Sequence, residues 1–232
     1  MKIAVLGLDF PLGKRAIPDE RLERLKEIFH TPKVTDIQME FMDSTHLKEV
    51  LGIICEKDSK LDLILGDLEV VESNISNNKN SELFLRCKEA LEKEIFLNEV
   101  PFDEEERAIL LNANLVTLKP TLIVNRENLP SIPEIARSIY TNCGMISFFT
   151  VNERELRAWS IKAGTTVHEA AGYIHSDIRR GFIKAEVISY ADLIKAGGLN
   201  QARSKGLLRL EDKGYVVKDG DLIQIRFSPP TR

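Results

Sequence analysis

The residues closest to a recognisable chemical motif lie near the amino terminus. Gly7 ends an apolar run, and the pair Gly13-Lys14 follows after five intervening residues. A phosphate-binding loop has the pattern G-x-x-x-x-G-K-[S/T] between a strand and a helix, because its N–H groups and Lys hold phosphates while the hydroxyl holds Mg²⁺. Here the spacing is too long, Arg15 replaces the hydroxyl residue, and Pro18 disfavours a helix directly afterwards. The sequence therefore predicts a strand followed by a turn.

A second set of reactive side chains lies in the carboxy-terminal half. His175, Ser176 and Asp177 have the residue types of a hydrolase triad, but such a triad needs convergent geometry that adjacent residues do not supply by themselves. We therefore predict no catalytic residue here. Basic residues follow within the same segment and, together with His175, could contact the phosphates of a polyanion: Arg179, Arg180 and Lys184. The alternative is a solvated loop.

Composition is ordinary for a globular protein. The chain has 232 residues, of which 43% are hydrophobic and 29% charged. No apolar run approaches the ~20 residues of a membrane span, so we expect no membrane partner. The three cysteines, Cys55, Cys87 and Cys143, are far apart and have neither metal-ligand nor disulfide spacing. We therefore predict no bound metal and a reducing, cytoplasmic location.

Charge differs between the two halves. The residues from Ser147 onward include 14 Lys and Arg against 10 Asp and Glu, a balance of +4, whereas residues 1–146 have 18 against 26, a balance of −8. An acidic front and a basic back indicate two units with different partners. Ordinary scatter of a few charges is the alternative.

The front half, residues 1–146, has the pattern of an α/β domain. Continuous apolar runs such as "KIAVLGL" are typical of buried parallel strands. Between the later strands lies a charged region of helical spacing, about 62–98, which "SNISNNKNSE" interrupts, so we predict a helical hairpin there. Asp103 is followed by acidic residues, as at a helix start. The predicted strands also include "DIQMEFMD", "VLGIIC" and "KPTLIV", and the predicted helices 19–30, 102–114 and 132–144.

The back half, residues 147–232, has a different order of elements. Four strand-like segments, "ISFFTV", "LRAWSI", "FIKAEVIS" and "DLIQIRF", alternate with two short helical segments. "YVVKDGDLI" contains an Asp-Gly turn, which is common in hairpins. We predict a compact α+β module of the β-grasp type.

The back half closely resembles the TGS domain of the YchF, or Obg-like ATPase, family. The motifs "AAGYIHSD", "GFIKAEVIS" and "YVVKDGD" carry the resemblance, which covers the whole module. The front half resembles the same family more weakly, through "IPDERLERLKEIF", "MEFMD" and "LVTLKPTLIVNRE". The resemblance implies a shrunken, Rossmann-like sheet derived from the P-loop NTPases of the TRAFAC GTPase group, with a helical hairpin insertion and a carboxy-terminal TGS domain.

The resemblance also identifies remnants of a nucleotide site. The family's P-loop and the helix after it have no counterpart between Leu8 and Pro11, and the second switch, Asp-x-x-Gly in the family, here begins at Asp43 and lacks its glycine. The base-recognition motif Asn-x-x-Glu is one residue shorter here. The candidate nucleotide-binding remnants are Gly7, Asp43, Asn125 and Glu127.

These residues lead to a functional expectation. Phosphoryl transfer is catalysed by positioning and charge stabilisation from the P-loop, its Lys and Mg²⁺, so we expect no hydrolase activity and no required cofactor. The leading hypothesis is a binding or regulatory factor that contacts the ribosome or structured RNA, without DNA sequence readout. One alternative is a weak ATP or GTP binder with a remodelled site. Another is a protein-binding adaptor that uses the helical hairpin.

Overall fold

The computed structural model describes residues 1–77 and 80–228. The chain divides into two compact units. The first comprises Met1–Arg15 and Gln38–Cys143, and the second comprises Ala16–Ile37 and Gly144–Arg232. The sequence predicted one boundary, between residues 146 and 147. The structure differs because the segment 16–37 belongs to the second unit.

The elements are numbered in chain order. The strands are β1 (Lys2–Leu6), β2 (Gly13–Ile17), β3 (Lys33–Thr35), β4 (Ile37–Met42), β5 (Gly52–Glu56), β6 (Thr121–Val124), β7 (Met145–Val151), β8 (Glu155–Lys162), β9 (Phe182–Ser189), β10 (Arg209–Glu211) and β11 (Asp221–Phe227). The α-helices are α1 (Glu20–Phe29), α2 (Lys60–Ser76), α3 (Ser81–Glu92), α4 (Glu104–Asn112), α5 (Ile132–Asn142), α6 (Val167–Ile174), α7 (Ser176–Arg180), α8 (Tyr190–Ala196) and α9 (Leu199–Ser204).

The first unit is built on a five-stranded sheet with the order β2-β4-β1-β5-β6. Strand β1 pairs in parallel with β4 and β5, and β5 pairs in parallel with β6. The apolar run of β1 is buried, with Ile3 and Ala4 fully inaccessible, as expected for a central parallel strand. After β1 the chain continues to strands on one side of β1 in the sheet, including β4, whereas after β5 it continues to β6 on the other side. The carboxyl ends of β1 and β5 therefore form the switch point where such sheets usually bind ligands.

Helices α2 and α3 form the predicted hairpin. Apolar side chains of both helices share one buried cluster, including Leu63 and Val71 from α2 and Phe84 and Leu91 from α3. The predicted turn includes Asn78 and Lys79, which lie outside the described residues. Helix α4 begins at the predicted cap Asp103, whose carboxylate accepts the N–H of Glu106 at 2.8 Å.

The second unit contains a six-stranded mixed sheet with the order β10-β9-β11-β7-β8-β3. Strand β3 lies at one edge of this sheet and pairs in parallel with β8. The Thr35 hydroxyl donates to the Glu155 carboxylate at 2.6 Å, and Lys33 lies 2.9 Å from the same group. These bonds explain why residues 16–37 belong to this unit. Strand β3 has only three residues, which are of mixed polarity, so the sequence pattern alone does not predict it.

Helix α1 is tied to the same unit by an ion pair with Asp219. The Arg21 guanidinium contacts Asp19 and Asp219, each at 2.7 Å, and Asp19 also caps α1 by accepting the N–H of Arg21. One face of the sheet packs against α6 around Phe148 and Ile161. The mixed α/β fold class predicted from the sequence is thus confirmed. Among the residues described, none of the helices combines the length and apolar character that a membrane span requires.

Candidate functional site

The carboxyl edge of the five-stranded sheet is closely packed at its switch point. Gly7 follows β1 with φ of +76°, in the left-handed region that glycine tolerates. A Cβ atom at this position would lie 2.3 Å from Oγ of Ser59 and 2.9 Å from Cβ of Glu56. The loop after β1 therefore contacts the chain that follows β5, and only glycine fits there.

The loop after β6 joins the same edge. The Arg126 guanidinium donates a hydrogen bond to the Gly7 carbonyl. Asn125 caps the following turn, its Oδ1 accepting the N–H of Glu127 at 3.0 Å. The structure therefore brings the loop that contains Asn125 and Glu127 to Gly7. Arg126 was not predicted from the sequence, although it lies between two predicted residues.

Asp43 follows β4 at the same edge but is engaged locally. Its carboxylate accepts the N–H of Thr45 at 3.0 Å and the Thr45 hydroxyl, and it lies 3.1 Å from Nδ1 of His46. The hydroxyl of Thr45 is the main cause that lowers the pKa of Asp43 below its ordinary value. Within the described residues no hydrogen bond joins Asp43 to Gly7 or Asn125.

The helix that begins at the switch point follows β5 rather than β1. A short 3-10 turn, Lys57–Ser59, leads directly from β5 into α2, and the Glu56 carboxylate accepts the N–H of Asp58 at 2.9 Å. Gly13 and Lys14 lie at the start of β2, so this pair does not precede a helix. Free N–H groups at a helix start attract anions, and here α2 supplies them. The buried Glu56 opposes that attraction.

A cavity of about 460 Å³ lies beside the Asp43 turn. Its lining includes Lys48 and four acidic residues: Glu49, Asp62, Asp67 and Glu69. Asp67 is buried and accepts hydrogen bonds from the N–H groups of Val116 and Thr117, and burial is the main cause that raises its pKa. Surplus negative charge makes this cavity unsuitable for phosphate groups.

The basic segment of the second unit, residues 175–184, is largely neutralised by acidic residues that lie beside it. Arg180 forms an ion pair with Asp177, and Lys184 forms one with Asp212. His175 caps α7, its Nδ1 accepting the N–H of Asp177 at 3.1 Å. Gly181 fixes the end of the segment, because a Cβ there would lie 1.9 Å from the Ser228 carbonyl oxygen.

Arg179 differs from the other cations of this segment. No ion pair involves it among the described residues, and it lines an open cavity of about 440 Å³. Tyr173, Gly172, Glu169 and Thr165 line the same cavity. Of the three predicted Arg and Lys candidates, Arg179 is therefore the one without an acidic partner among the described residues, while the Tyr173 ring beside it was not predicted. The position of Tyr173 in the motif "AAGYIHSD", next to the basic residues, was the sequence signal that could have identified it.

Comparisons with known proteins give a consistent result. The sequence profile of the family YchF-GTPase_C, described as "Protein of unknown function (DUF933)", matches residues 145–228. The Ribosome-binding ATPase YchF of Bacillus subtilis is 28% identical, with 95% of this chain and 90% of the relative aligned. Its counterpart from Buchnera aphidicola is 26% identical, over 94% of this chain and 89% of the relative.

Comparison with solved structures supports the same similarity. The Schizosaccharomyces pombe YchF GTPase superposes with a TM-score of 0.80 at 18% identity, covering 95% of this chain and 88% of that structure. The alignment with the Bacillus protein spans 329 positions, more than the 232 residues of this chain. Parts of that relative thus have no counterpart in this chain.

The five-stranded sheet, in which β4, β1, β5 and β6 run parallel, together with the six-stranded mixed sheet, defines an α/β protein with the fold of the YchF GTPases. The sequence relationship is more specific, since it covers nearly the whole chain and includes the profile of the carboxy-terminal unit. The chain is thus similar to YchF proteins over nearly its whole length, and its residues 145–228 match the family YchF-GTPase_C.

One functional expectation is corrected by these findings. We predicted that the chain is not an enzyme, because the P-loop pattern is absent from its sequence. The relatives that align with nearly all of the chain are named ATPases, so that prediction is wrong. The prediction rested on the missing P-loop and on the altered switch motifs of the sequence.

Proposed function

We propose that this chain is a ribosome-associated protein that binds ATP or GTP. The observation that carries the proposal is the alignment of two relatives named "Ribosome-binding ATPase YchF" with 94–95% of the chain. The alignment extends through both compact units. A function that needs both a nucleotide and the ribosome therefore fits the chain better than one that uses either unit alone.

The nucleotide is proposed to bind at the carboxyl edge of the five-stranded sheet. Ligands of open parallel sheets occupy the crevice at the switch point, and Gly7, Asn125 and Arg126 meet there. The amino-terminal N–H groups of α2 support binding of a phosphate group at the same edge. Because the buried Glu56 repels phosphates and, in the described part of the chain, no glycine-rich loop precedes a helix at this edge, we expect weak affinity.

The ribosome is proposed to contact the basic segment of the second unit. Polyanions bind through phosphate contacts, which release counterions and make affinity fall with salt. The pairing of Arg180 and Lys184 with acidic neighbours reduces the available charge. We therefore expect weak, salt-sensitive binding that does not read sequence.

Co-sedimentation of the full chain with ribosomal subunits tests the ribosome proposal. Binding is expected at ~50 mM salt and should decline steeply toward ~200 mM. The matched pair of variants is Arg179→Ala, expected to weaken binding, and Arg154→Ala, an exposed arginine outside the segment, expected not to. Absence of wild-type binding at the lowest salt, with and without ATP or GTP, would refute the proposal.

Calorimetry with ATP and GTP tests the nucleotide proposal, and turnover is measured in the same samples with and without ribosomes. We expect dissociation constants weaker than about 1 μM, because phosphates supply most of the anchoring in P-loop sites. Asn125→Ala should reduce binding, whereas Asn142→Ala, an exposed asparagine at the end of α5, should not. Equal binding by both variants would place the nucleotide elsewhere.

A protein-binding role for the helical hairpin is the second candidate. Leu61 and Leu65 are exposed at 49% and 59% on the same face of α2, and Leu85 of α3 is exposed at 48%. Exposed leucines one turn apart are typical of helix surfaces that dock partners. Loss of a protein co-purified from lysate in Leu61→Ser/Leu65→Ser, with ribosome binding intact, would support this role.

A further inference from the structure

The open cavity of the second unit brings an aromatic ring and an available cation together. Tyr173, the last but one residue of α6, is 57% exposed. The side chain of Arg179 from α7 lies against the same helix, with its Cδ 3.0 Å from the place that a Cβ of Gly172 would occupy. Gly172 thus makes room for the arginine stem beside the tyrosine.

The charge around this pair is arranged so that Arg179 keeps its guanidinium available. The neighbouring cation Arg180 is neutralised by Asp177, whereas no acidic group lies within ion-pair distance of Arg179 among the described residues. Glu169 lines the cavity, but its carboxylate is held by the N–H and hydroxyl groups of Thr166, both at 2.8 Å. The backbone of Arg179 is held as well, its carbonyl lying 3.1 Å from Nε2 of His168.

An exposed aromatic ring beside an arginine suits one class of ligand particularly well. Unpaired RNA bases stack on tyrosine faces, and arginine contacts the adjoining phosphate. Paired bases cannot present a face to the ring, and a free phosphate would gain nothing from it. A cavity of about 440 Å³ has room for a single nucleotide.

We propose that Tyr173 and Arg179 form a subsite for one unpaired nucleotide of RNA, with the base on the Tyr173 ring and the phosphate at Arg179. This inference rests on the proposed ribosome association and specifies which RNA element is contacted. The segment would then recognise a single-stranded loop or end rather than the backbone of a duplex.

The test uses the full chain and a fluorescently labelled oligouridine of twelve nucleotides, compared with an RNA duplex of the same length. Tyr173→Ala should weaken oligouridine binding about tenfold because a stacked base is lost, whereas Tyr173→Phe should retain it. Arg179→Ala should lower the slope of log affinity against log salt by about 0.7, the loss of one single-strand phosphate contact. Arg180→Ala is the matched control, since Arg180 is already paired with Asp177.

Gly172→Ala should weaken oligouridine binding without destabilising the fold. Alanine favours the helix, so the thermal midpoint should stay or rise. The added methyl would displace the Arg179 stem, so oligouridine affinity should fall several-fold. A fall in both quantities would instead indicate a damaged unit, and the proposal is then decided by Tyr173→Ala, which should weaken binding with an unchanged thermal midpoint.

The outcomes separate this inference from the proposed function. Ribosome binding that persists unchanged in Tyr173→Ala and Arg179→Ala, or oligouridine and duplex binding of equal strength, would overturn the nucleotide subsite and leave the ribosome proposal standing. Loss of ribosome binding in the wild type would overturn the ribosome proposal itself. Selective oligouridine binding that depends on both residues supports the subsite.

Discussion

The carboxyl edge of the first unit and the basic segment of the second use their polar side chains differently. At the edge, each of three strand ends places a side-chain oxygen on the N–H two residues further on: Asp43 on Thr45, Glu56 on Asp58 and Asn125 on Glu127. In the basic segment the cations Arg180 and Lys184 pair with acidic side chains, and Arg179 forms no ion pair among the described residues. Residues at the edge therefore support local structure as well as any ligand. Tyr173 and Arg179 can be changed with little structural consequence.

The largest expected effect tests the packing of the edge. Gly7→Ala introduces a Cβ 2.3 Å from Oγ of Ser59 in a left-handed backbone conformation. We expect it to lower the free energy of unfolding by about 2–4 kcal/mol, measured by urea denaturation followed by circular dichroism. Gly13→Ala is the control, since Gly13 also has positive φ but nothing within 4 Å of its Cβ position, and strain alone costs about 1 kcal/mol. Equal losses would contradict the close approach.

Arg126→Ala examines the link between the loops after β1 and β6. Its hydrogen bond to the Gly7 carbonyl involves a charged donor at an exposed position. Removing it should lower the free energy of unfolding by about 1 kcal/mol. Arg154→Ala, a surface change elsewhere, should stay within about 0.5 kcal/mol of wild type. If Arg126→Ala matches that control, the edge loops are not joined through the guanidinium.

The pH dependence of Glu155→Gln tests a partnered carboxylate in the second unit. The Thr35 hydroxyl, and after it Lys33, lowers the pKa of Glu155 in the folded protein. Its charged form therefore stabilises the fold above the ordinary Glu value near 4.5, and this contribution is lost as pH falls through the lowered pKa. We expect Glu155→Gln to cost about 0.5 kcal/mol at neutral pH and nothing at acidic pH. The same cost at both pH values, or a matching cost in the exposed control Glu153→Gln, would exclude this explanation.

The smallest expected effect concerns the Asp43 turn and is spectroscopic. The Thr45 hydroxyl is the main cause of the lowered pKa of Asp43. Thr45→Val removes that donor and should move the Asp43 pKa, measured by carboxyl-carbon NMR, back toward its ordinary value. Ser44→Ala changes a neighbouring hydroxyl and should leave it in place. A shift in Ser44→Ala alone would show that another donor holds the carboxylate.

Much of the fold followed from local chemistry that the sequence displays. Asp103 with Glu106 marks the start of α4, and the apolar run of β1 predicts a buried parallel strand. Strands β2 and β3 were missed because Gly13–Ile17 and Lys33–Thr35 are short and mostly polar, so only their sheet partners make them strands. The unit boundary was misplaced for the same reason, since the pairing of β3 with β8 spans more than a hundred residues.

The sequence predicted most residues of the candidate sites but not the partners that these residues contact. Gly7, Asn125 and Glu127 lie at one edge, because carboxyl ends of neighbouring parallel strands meet there. Arg126 was missed because its partner, the Gly7 carbonyl, is a backbone atom that no sequence pattern identifies. In the basic segment the Arg180–Asp177 pair follows from a spacing of three residues, whereas the Lys184–Asp212 pair depends on tertiary structure.

The divided second unit has a consequence for synthesis on the ribosome. Residues 16–37 leave the exit tunnel early, but the strand that β3 pairs with is made more than a hundred residues later. At typical elongation rates that interval lasts about 5–20 s. During it, Leu22 and Leu25 of α1, both buried in the finished protein, have no native partners from the rest of the unit. Nascent-chain folding should therefore begin with the first unit, and the edge strand β3 should wait for its sheet neighbour β8 while more than a hundred residues are added.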